Sequence, residues 1–255
     1  MQEPRPVIQW VSDSAVRVGI LTTVRSEPTP TAALLDTVDA SESAIYQAVT
    51  DLERRSLLTE RAAGWIVTGR GQVVADLLGQ RESVEQLLHS GGEYWQEHDL
   101  SVLPRRFRLR LGALADHDVL RVTDTDPNRV VRHLSNRVSE SSSVQILAPV
   151  YQESIASAMP DTADTRLVLT PDVVEGTLEQ DVEDPDVEPD NMNIRLGDVP
   201  IPLTLTDDAL LVSFPTLDGQ YDTRSEVLVE SEAARRWGED LFTYYWRRAT
   251  PVPSE

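Results

Sequence analysis

Several residue types are missing from this chain, and each absence excludes a class of function. The 255 residues include no cysteine, which excludes disulfide bonds, cysteine-ligated zinc and a thiolate nucleophile. Apolar runs are only a few residues long, against the ~20 that a membrane span needs. The opening MQEPRPVIQW also lacks the basic and apolar regions of a signal peptide. The sequence therefore predicts a soluble, cytoplasmic protein with no membrane partner.

Lysine is absent as well, because all 23 basic residues are arginine, against 43 acidic residues. Without an ammonium side chain, a Walker-type phosphate loop, a Schiff base and a His-x-Lys phospholipase pair are excluded. A net charge of −20 suits a cytoplasm at molar salt, where charges are screened beyond ~3 Å and a carboxylate-rich surface stays soluble. The composition resembles that of proteins from extremely halophilic archaea; an ordinary acidic protein is the alternative.

The first 54 residues have the spacing of three helices. Apolar residues recur at helical intervals over 10–24, a short helix is predicted over 31–38, and Ser41 is placed to cap a third helix. The buried face of that third helix is predicted to hold Ile45, Val49 and Leu52. Its opposite face is polar and is expected to be exposed.

A hairpin is predicted directly after the third helix. The strands TER and WIVT can pair around residues 62–64, and three helices followed by a hairpin are the order of a winged helix-turn-helix. On the polar face, Gln47 can bond an adenine edge in a bidentate way, and arginines flank the helix and the wing where phosphates would lie. The predicted DNA-binding residues are Ser41, Ser43, Tyr46, Gln47, Thr50, Arg54, Arg55, Arg61 and Arg70.

The acidic charge is concentrated in the second part of the chain. Residues 1–80 hold seven arginines and ten acids, a net of −3, whereas residues 81–255 carry −17. The charge distribution is therefore compatible with DNA binding by the first part. An amphipathic helix after the hairpin is predicted to mediate a homodimer, because its apolar stripe would not stay in water. Packing of the stripe on its own chain alone is the alternative. The stripe comprises Val73, Val74, Leu77, Val84, Leu87 and Leu88.

A family resemblance adds to this pattern. Residues 15–71 look like archaeal winged-helix regulators, and EYWQEHDLSVLPRRFRLRLGAL, residues 93–114, is similar to the opening of the effector-like domain of the methanogenesis regulatory protein family. The resemblance covers most of the chain and implies a transcriptional regulator with a C-terminal effector-like domain. The sequence departs from the family at Ser56, where such regulators usually have glycine before the wing. Tyr94, Trp95, His98 and Asp99 either line an effector pocket or pack as a structural joint.

Beyond residue 118, strand-like and helix-like segments alternate, which is typical of βαβ units. The predicted fold class is α+β: an N-terminal winged helix-turn-helix followed by an α/β domain with a mainly parallel sheet. The domains are expected at 1–71 (DNA binding), 72–115 (linker and dimerisation helices) and 116–255 (effector-like or assembly domain). The acidic stretch 178–193 lacks the glycine turn and closing glutamate of a calcium loop, so it is interpreted as an exposed loop.

The sequence offers no catalytic or metal-ligating constellation. The four histidines form no His-x-x-x-His pair, and no G-x-S-x-G nucleophile elbow is present. The sequence thus predicts a sequence-specific regulator that binds double-stranded DNA, without enzyme activity, metal or cofactor, modulated by a small-molecule effector at the C-terminal domain. A hydrolase or nuclease, and a protein-interaction module that does not bind DNA, are the alternatives.

Overall fold

A computed structural model describes residues 5–150, 152–160, 163–173 and 192–252, and the chain divides into two compact units. Unit 1 is Met1–Ser83 and unit 2 is Val84–Glu255. The division falls inside one helix, Gly69–Ser90, so residues 72–83 of the predicted linker belong to unit 1 and residues 84–115 to unit 2. No helix in the described part of the chain has the length and apolar character that a membrane span requires.

Unit 1 begins with four helices and a hairpin, and a longer helix follows. In chain order the elements are α1 (Val7–Ser12), α2 (Ala15–Ser26), α3 (Thr31–Thr37), α4 (Glu42–Arg54), β1 (Leu58–Arg61), β2 (Gly64–Val67) and α5 (Gly69–Ser90). The single helix predicted over 10–24 is wrong, because the Ser14 hydroxyl accepts a hydrogen bond from the Arg17 N–H at 3.3 Å and starts a new helix there.

The core of unit 1 is formed by the apolar faces of these helices. Ile45, Val49 and Leu52 on α4 are buried, as the spacing predicted. They share one apolar cluster with Leu34 of α3 and Ile20 of α2. The polar face of α4 is thereby held on the outside of the unit.

The hairpin is a wing with a short third edge. Thr59 lies opposite Ile66 in the β1–β2 register, and Thr29 exchanges two backbone hydrogen bonds with Trp65 on the far side of β2, at 2.9 and 2.8 Å. Gly64 makes this approach feasible: its φ is 124°, and a Cβ there would lie 2.5 Å from the carbonyl carbon of Thr29. The predicted hairpin is confirmed, and its position is fixed by the segment before α3.

Unit 2 is built on one mixed sheet with helices on both faces. Its elements after α5 are α6 (Gly92–Glu97), a 3₁₀ turn (Leu100–Val102), α7 (Arg105–Arg108), a second 3₁₀ turn (Leu111–Leu114), β3 (Asp118–Arg121), α8 (Arg129–Ser139), β4 (Ser143–Ala148), α9 (Glu153–Ala156), β5 (Asp164–Leu169), β6 (Met192–Leu196), β7 (Leu203–Leu205), β8 (Leu210–Val212), β9 (Ser225–Val229), α10 (Glu232–Trp246) and β10 (Thr250–Pro251).

The sheet corrects one sequence prediction. Its strand order is β10-β6-β5-β4-β7-β8-β9-β3, and five of the seven pairings are antiparallel, so it is not mainly parallel. Among the described strands, parallel pairing is confined to β4 with β5 and β5 with β6. The later strands β7, β8 and β9 are joined by loops at 206–209 and 213–224 without helices, and such links connect antiparallel neighbours. The α+β class and the N-terminal winged helix are confirmed.

The two faces of the sheet bury different clusters. In β9, Val227 and Val229 belong to the cluster that includes Trp237 of α10. Leu228, which alternates with them, belongs to the cluster that includes Leu134 of α8. Glu226 shares the side of Leu228 by the same alternation. A carboxyl group is thereby placed on an apolar face under α8. The acidic segment predicted as an exposed loop, 178–193, lies almost entirely outside the described residues.

Candidate functional site

The candidate DNA-reading surface is the polar face of α4. Ser43, Gln47 and Thr50 are exposed there, and the ring-bearing side chain of Tyr46 is 49 % exposed. The hydroxyl of Thr50 donates to the Tyr46 carbonyl at 2.9 Å. The structure thus places the predicted base-reading side chains together on one accessible helix surface, as a recognition helix requires.

Both ends of α4 are fixed by specific caps. At the start, the Ser41 hydroxyl accepts a hydrogen bond from the Ala44 N–H at 3.3 Å, as the sequence predicted. At the end, Leu57 N–H donates to Leu52 at 3.0 Å and Ser56 N–H donates to Glu53 at 2.8 Å, the pattern of a Schellman motif. Ser56 has φ 58°. It occupies the left-handed position that glycine normally takes, so this departure from the family leaves the cap geometry intact.

The predicted phosphate-binding arginines differ in how they are held. Arg54 lies near Asp51, with 3.4 Å between Nη1 and Oδ1, and both groups are solvent-accessible. Arg61 on β1 donates from Nη1 to the Glu60 carbonyl at 3.4 Å and is exposed, as is Arg70 near the start of α5. Weak, exposed contacts of this kind cost little to exchange for phosphate.

Arg55 is held by an aromatic ring that the sequence analysis did not use. Its guanidinium carbon lies 4.0 Å from the centroid of Trp10, and that of Arg17 lies 4.1 Å from the same ring. Trp10 therefore gathers two positive charges beside the C-terminal end of α4. The signal available in the sequence was a tryptophan at the start of the helical spacing over 10–24, but the two arginines are 7 and 45 residues away along the chain.

In unit 2, the predicted pocket residues form a buried cluster instead of a cavity wall. Tyr94 and His98 are stacked with 3.8 Å between ring centroids, and His98 Nε2 lies 2.9 Å from Asp222 Oδ2. The Phe214 N–H donates to the Tyr94 hydroxyl oxygen at 3.1 Å. Trp95 is also buried. Of the two sequence interpretations, the arrangement favours a structural joint.

Asp99, the fourth of these residues, caps a turn. Hydrogen bonds from the hydroxyl and the N–H of Ser101 lower the pKa of Asp99. The pKa of Asp222 is also lowered: its burial raises the pKa, but hydrogen bonds from Ser225, Arg224 and His98 outweigh that effect. Both carboxylates are therefore ionised and have partners near neutral pH.

A separate cavity of about 340 Å³ lies against the sheet face that α8 and α9 cover. None of the four predicted effector residues lines it. Its wall is mainly aliphatic and includes Leu134, Ile146, Ile155, Met159, Leu167 and Ile194. One end of the lining is polar and contains Ser213, Asp222, Thr223, Ser225 and Glu226. Volume and lining are those of a small-molecule site.

Glu226 is the exceptional residue of this lining. The side chain is only 5 % exposed, and its Oε2 has no hydrogen-bond partner among the described residues. Burial raises the pKa of Glu226 to about 8, because a charged carboxylate is disfavoured in apolar surroundings. The sequence signal was a glutamate inside the strand SEVLVE, but its inward direction depends on the register of β9. Among the described residues, no three metal-ligating side chains converge.

Two family models match the chain, one over each unit. Residues 6–87 match the HVO_A0261 N-terminal domain, and residues 127–248 match the middle domain of methanogenesis regulatory protein FilR1. The chain is thus similar to a class of archaeal regulators, and the family resemblance inferred from the sequence is confirmed.

The individual relatives are distant. The methanogenesis regulatory protein FilR1 of Methanothrix harundinacea (strain 6Ac) is 21 % identical over 255 residues, which cover 95 % of this chain and 57 % of that protein. The chain therefore spans little more than half the length of this relative.

Solved structures also match this chain, among them those of TrmBL2 and NucT. The archaeal chromatin protein TrmBL2 matches with a TM-score of 0.42 and 12 % identity, covering 96 % of this chain and 98 % of its own. NucT from Helicobacter pylori matches with a TM-score of 0.40 and 10 % identity, covering 54 % of this chain and 99 % of its own.

Proposed function

We propose that the chain is a sequence-specific transcription regulator that binds double-stranded DNA through α4 and the wing. The observation that carries the proposal is the exposed polar face of α4, capped at both ends and flanked by arginines. Gln47 contacts a base edge, Ser43 and Thr50 contact base edges or phosphates, and Tyr46 packs on sugar or a thymine methyl. The match of residues 127–248 to the middle domain of a methanogenesis regulatory protein supports this proposal.

The arginines supply the sequence-independent part of the binding. Arg54, Arg55 and Arg61 lie on or beside α4 and the wing, and Arg70 is exposed near the start of α5; Ser41 adds a hydroxyl at the helix N-terminus, where phosphate is favoured. In molar salt each phosphate contact contributes less, because counterion release is no longer favourable. Base-edge contacts by α4 therefore carry a larger share of the affinity than in a regulator working in dilute salt.

The double variant Gln47→Ala with Arg54→Ala tests this surface. Genome-wide mapping of bound DNA in the host first identifies a target promoter. Removing one bidentate base contact and one charge is expected to weaken operator binding by at least about tenfold and to abolish the footprint at that promoter. Gln9→Ala with Arg121→Ala removes the same residue types from exposed positions elsewhere and should leave the footprint intact. Circular dichroism checks that the first variant is folded like the wild type. If the folded variant leaves the footprint unchanged, α4 is not part of the interface.

The proposed regulator acts as a homodimer. Val73 and Leu77 are 61 % and 42 % exposed on adjacent turns of α5, whereas Val74 and Leu78 are buried in unit 1. A second copy of the chain covers this apolar pair, and two recognition helices then meet two half-sites. Leu88, also in the predicted stripe, is 54 % exposed at the end of the same helix.

Light scattering in molar KCl tests the dimer. Wild-type protein at tens of micromolar should have the mass of two chains, and Val73→Asp with Leu77→Asp should halve it. Leu217→Asp, at a position 69 % exposed in unit 2, serves as the matched control and should remain dimeric. A monomeric wild type, both free and bound to DNA, contradicts the dimer.

In the proposed function unit 2 is the sensing part and has no catalytic role. The cavity under α8 and α9 receives a small-molecule effector, and the bound molecule changes the affinity for DNA. The acidic composition and the lack of lysine support a halophilic archaeon as the source and its salt-rich cytoplasm as the location.

A further inference from the structure

The cavity under α8 and α9 has the chemistry to select one class of ligand. Its lining is mainly apolar, and its two acidic residues are Glu226 and Asp222. Asp222 is paired with His98 and Ser225, but Glu226 Oε2 has no partner in the described part of the chain. An acceptor oxygen buried without a donor is a costly arrangement in a folded protein.

The position of Glu226 explains why the described residues give its Oε2 no donor. In the sheet, Glu226 lies opposite Leu120 of β3, and Leu228, two residues along, lies opposite Leu211 of β8. The cavity side of this region is covered by Val130 and Leu134 of α8. The side chains of α8 beside the carboxyl group are hydrocarbon, and the hydroxyls of Ser213 and Ser225 already donate to Asp222. A ligand can therefore supply the donor that Glu226 lacks.

A second buried acceptor in the lining also indicates that the ligand donates hydrogen bonds to the protein. Gln152, which precedes α9, also lines the cavity, and its Oε1 is buried without a partner among the described residues. The cavity thus presents unpaired oxygens from β9 and from the α9 side. Both are completed by a ligand that donates hydrogen bonds.

We propose that this cavity binds an apolar amine, with the hydrocarbon part against the aliphatic side chains and the ammonium group against Glu226. An ammonium group has three N–H donors and no acceptor, and its charge is attracted by Asp222 at the same end of the lining. A carboxylate or phosphate ligand would instead bring its negative charge towards the ionised Asp222. The volume of about 340 Å³ suits a ligand with a short alkyl chain or one or two rings.

Calorimetry of the full chain with octylamine, octanol and octanoate tests the ligand class, because the three differ only in the head group. Octylamine is expected to bind about tenfold to a hundredfold more tightly than octanol, and octanoate should bind most weakly. Binding of the amine at neutral pH should also release about one proton, because Glu226 must ionise; titrations in two buffers of different ionisation enthalpy measure this proton.

Glu226→Gln should remove both the preference for the amine and the proton release. Glu239→Gln removes the same charge from an exposed position on α10 and should change neither. Ala156→Trp, at an exposed position that lines the cavity, should block all three probes even if Glu226→Gln does not fold. The proposal is overturned if octanol binds as tightly as octylamine, if octanoate binds more tightly, or if no probe binds at millimolar concentration. It is also overturned if a folded Glu226→Gln keeps the preference for octylamine, or if Ala156→Trp still binds octylamine.

The proposal rests on the proposed function only in naming the amine as the effector. If octylamine binds through Glu226 while the DNA footprint stays the same with and without it, the effector role fails and the cavity assignment stands. If the footprint is present but no amine binds, the DNA-binding function stands and the cavity assignment fails.

Discussion

Ser56 occupies a backbone position that favours glycine, so Ser56→Gly is expected to stabilise unit 1. With φ at 58°, the Cβ of a non-glycine residue costs about 1 to 2 kcal/mol. Glycine has greater freedom in the unfolded chain, which offsets about 0.5 to 1 kcal/mol of that gain. The Ser56 N–H keeps its hydrogen bond to Glu53 and the Ser56 carbonyl keeps its hydrogen bond from Thr68, because neither bond involves the Ser56 side chain. The expected net increase in the free energy of unfolding is about 0.5 to 1 kcal/mol.

Hydrogen exchange of the full chain measures this increase where it occurs. Some backbone amides within residues 41–67 exchange only when unit 1 opens. These amides should exchange about two- to fivefold more slowly in Ser56→Gly than in the wild type. Ser56→Ala retains Cβ and removes only the hydroxyl, so it should exchange at the wild-type rate. Equal rates for wild type and Ser56→Gly, or equal slowing by alanine, would refute the argument from backbone conformation.

Two further predictions concern charge. Burial raises the pKa of Glu226 from its ordinary 4.5 to about 8, so its contribution to stability is complete below pH 4.5 and is lost as pH rises to 8. Urea titrations between these limits should show a smaller fall in the free energy of unfolding for Glu226→Gln than for the wild type. Parallel curves for the two proteins would contradict the effect of burial. Residues 81–255 carry a net charge of −17 and residues 1–80 carry −3. Scanning calorimetry should therefore show unit 2 losing more stability than unit 1 when KCl falls from molar to ~0.1 M, where the Debye length grows to ~10 Å. If unit 2 melts no lower in dilute buffer, its acidity is not an adaptation to salt.

The sequence by itself determined the winged helix, because the signals for it are local. The apolar spacing of Ile45, Val49 and Leu52 sets which side of α4 is buried, Ser41 sets its start, and the short turn between TER and WIVT sets the hairpin. Each signal acts over a few residues, and the polar face of α4 follows from the buried one. The candidate DNA-binding residues on α4 could therefore be named, and placed on one exposed face, before the structure was known.

Tertiary structure decided the features that depend on distant partners. Strand direction depends on which strands become neighbours, and β4 lies between β5 and β7, which no local pattern specifies. Trp10 gains its two arginines only when α1, α2 and the end of α4 meet. Glu226 becomes a buried acid, with no partner for its Oε2 among the described residues, because the register of β9 turns it beneath α8. Local spacing selects which face of an element is buried, but the fold selects what that face is buried against.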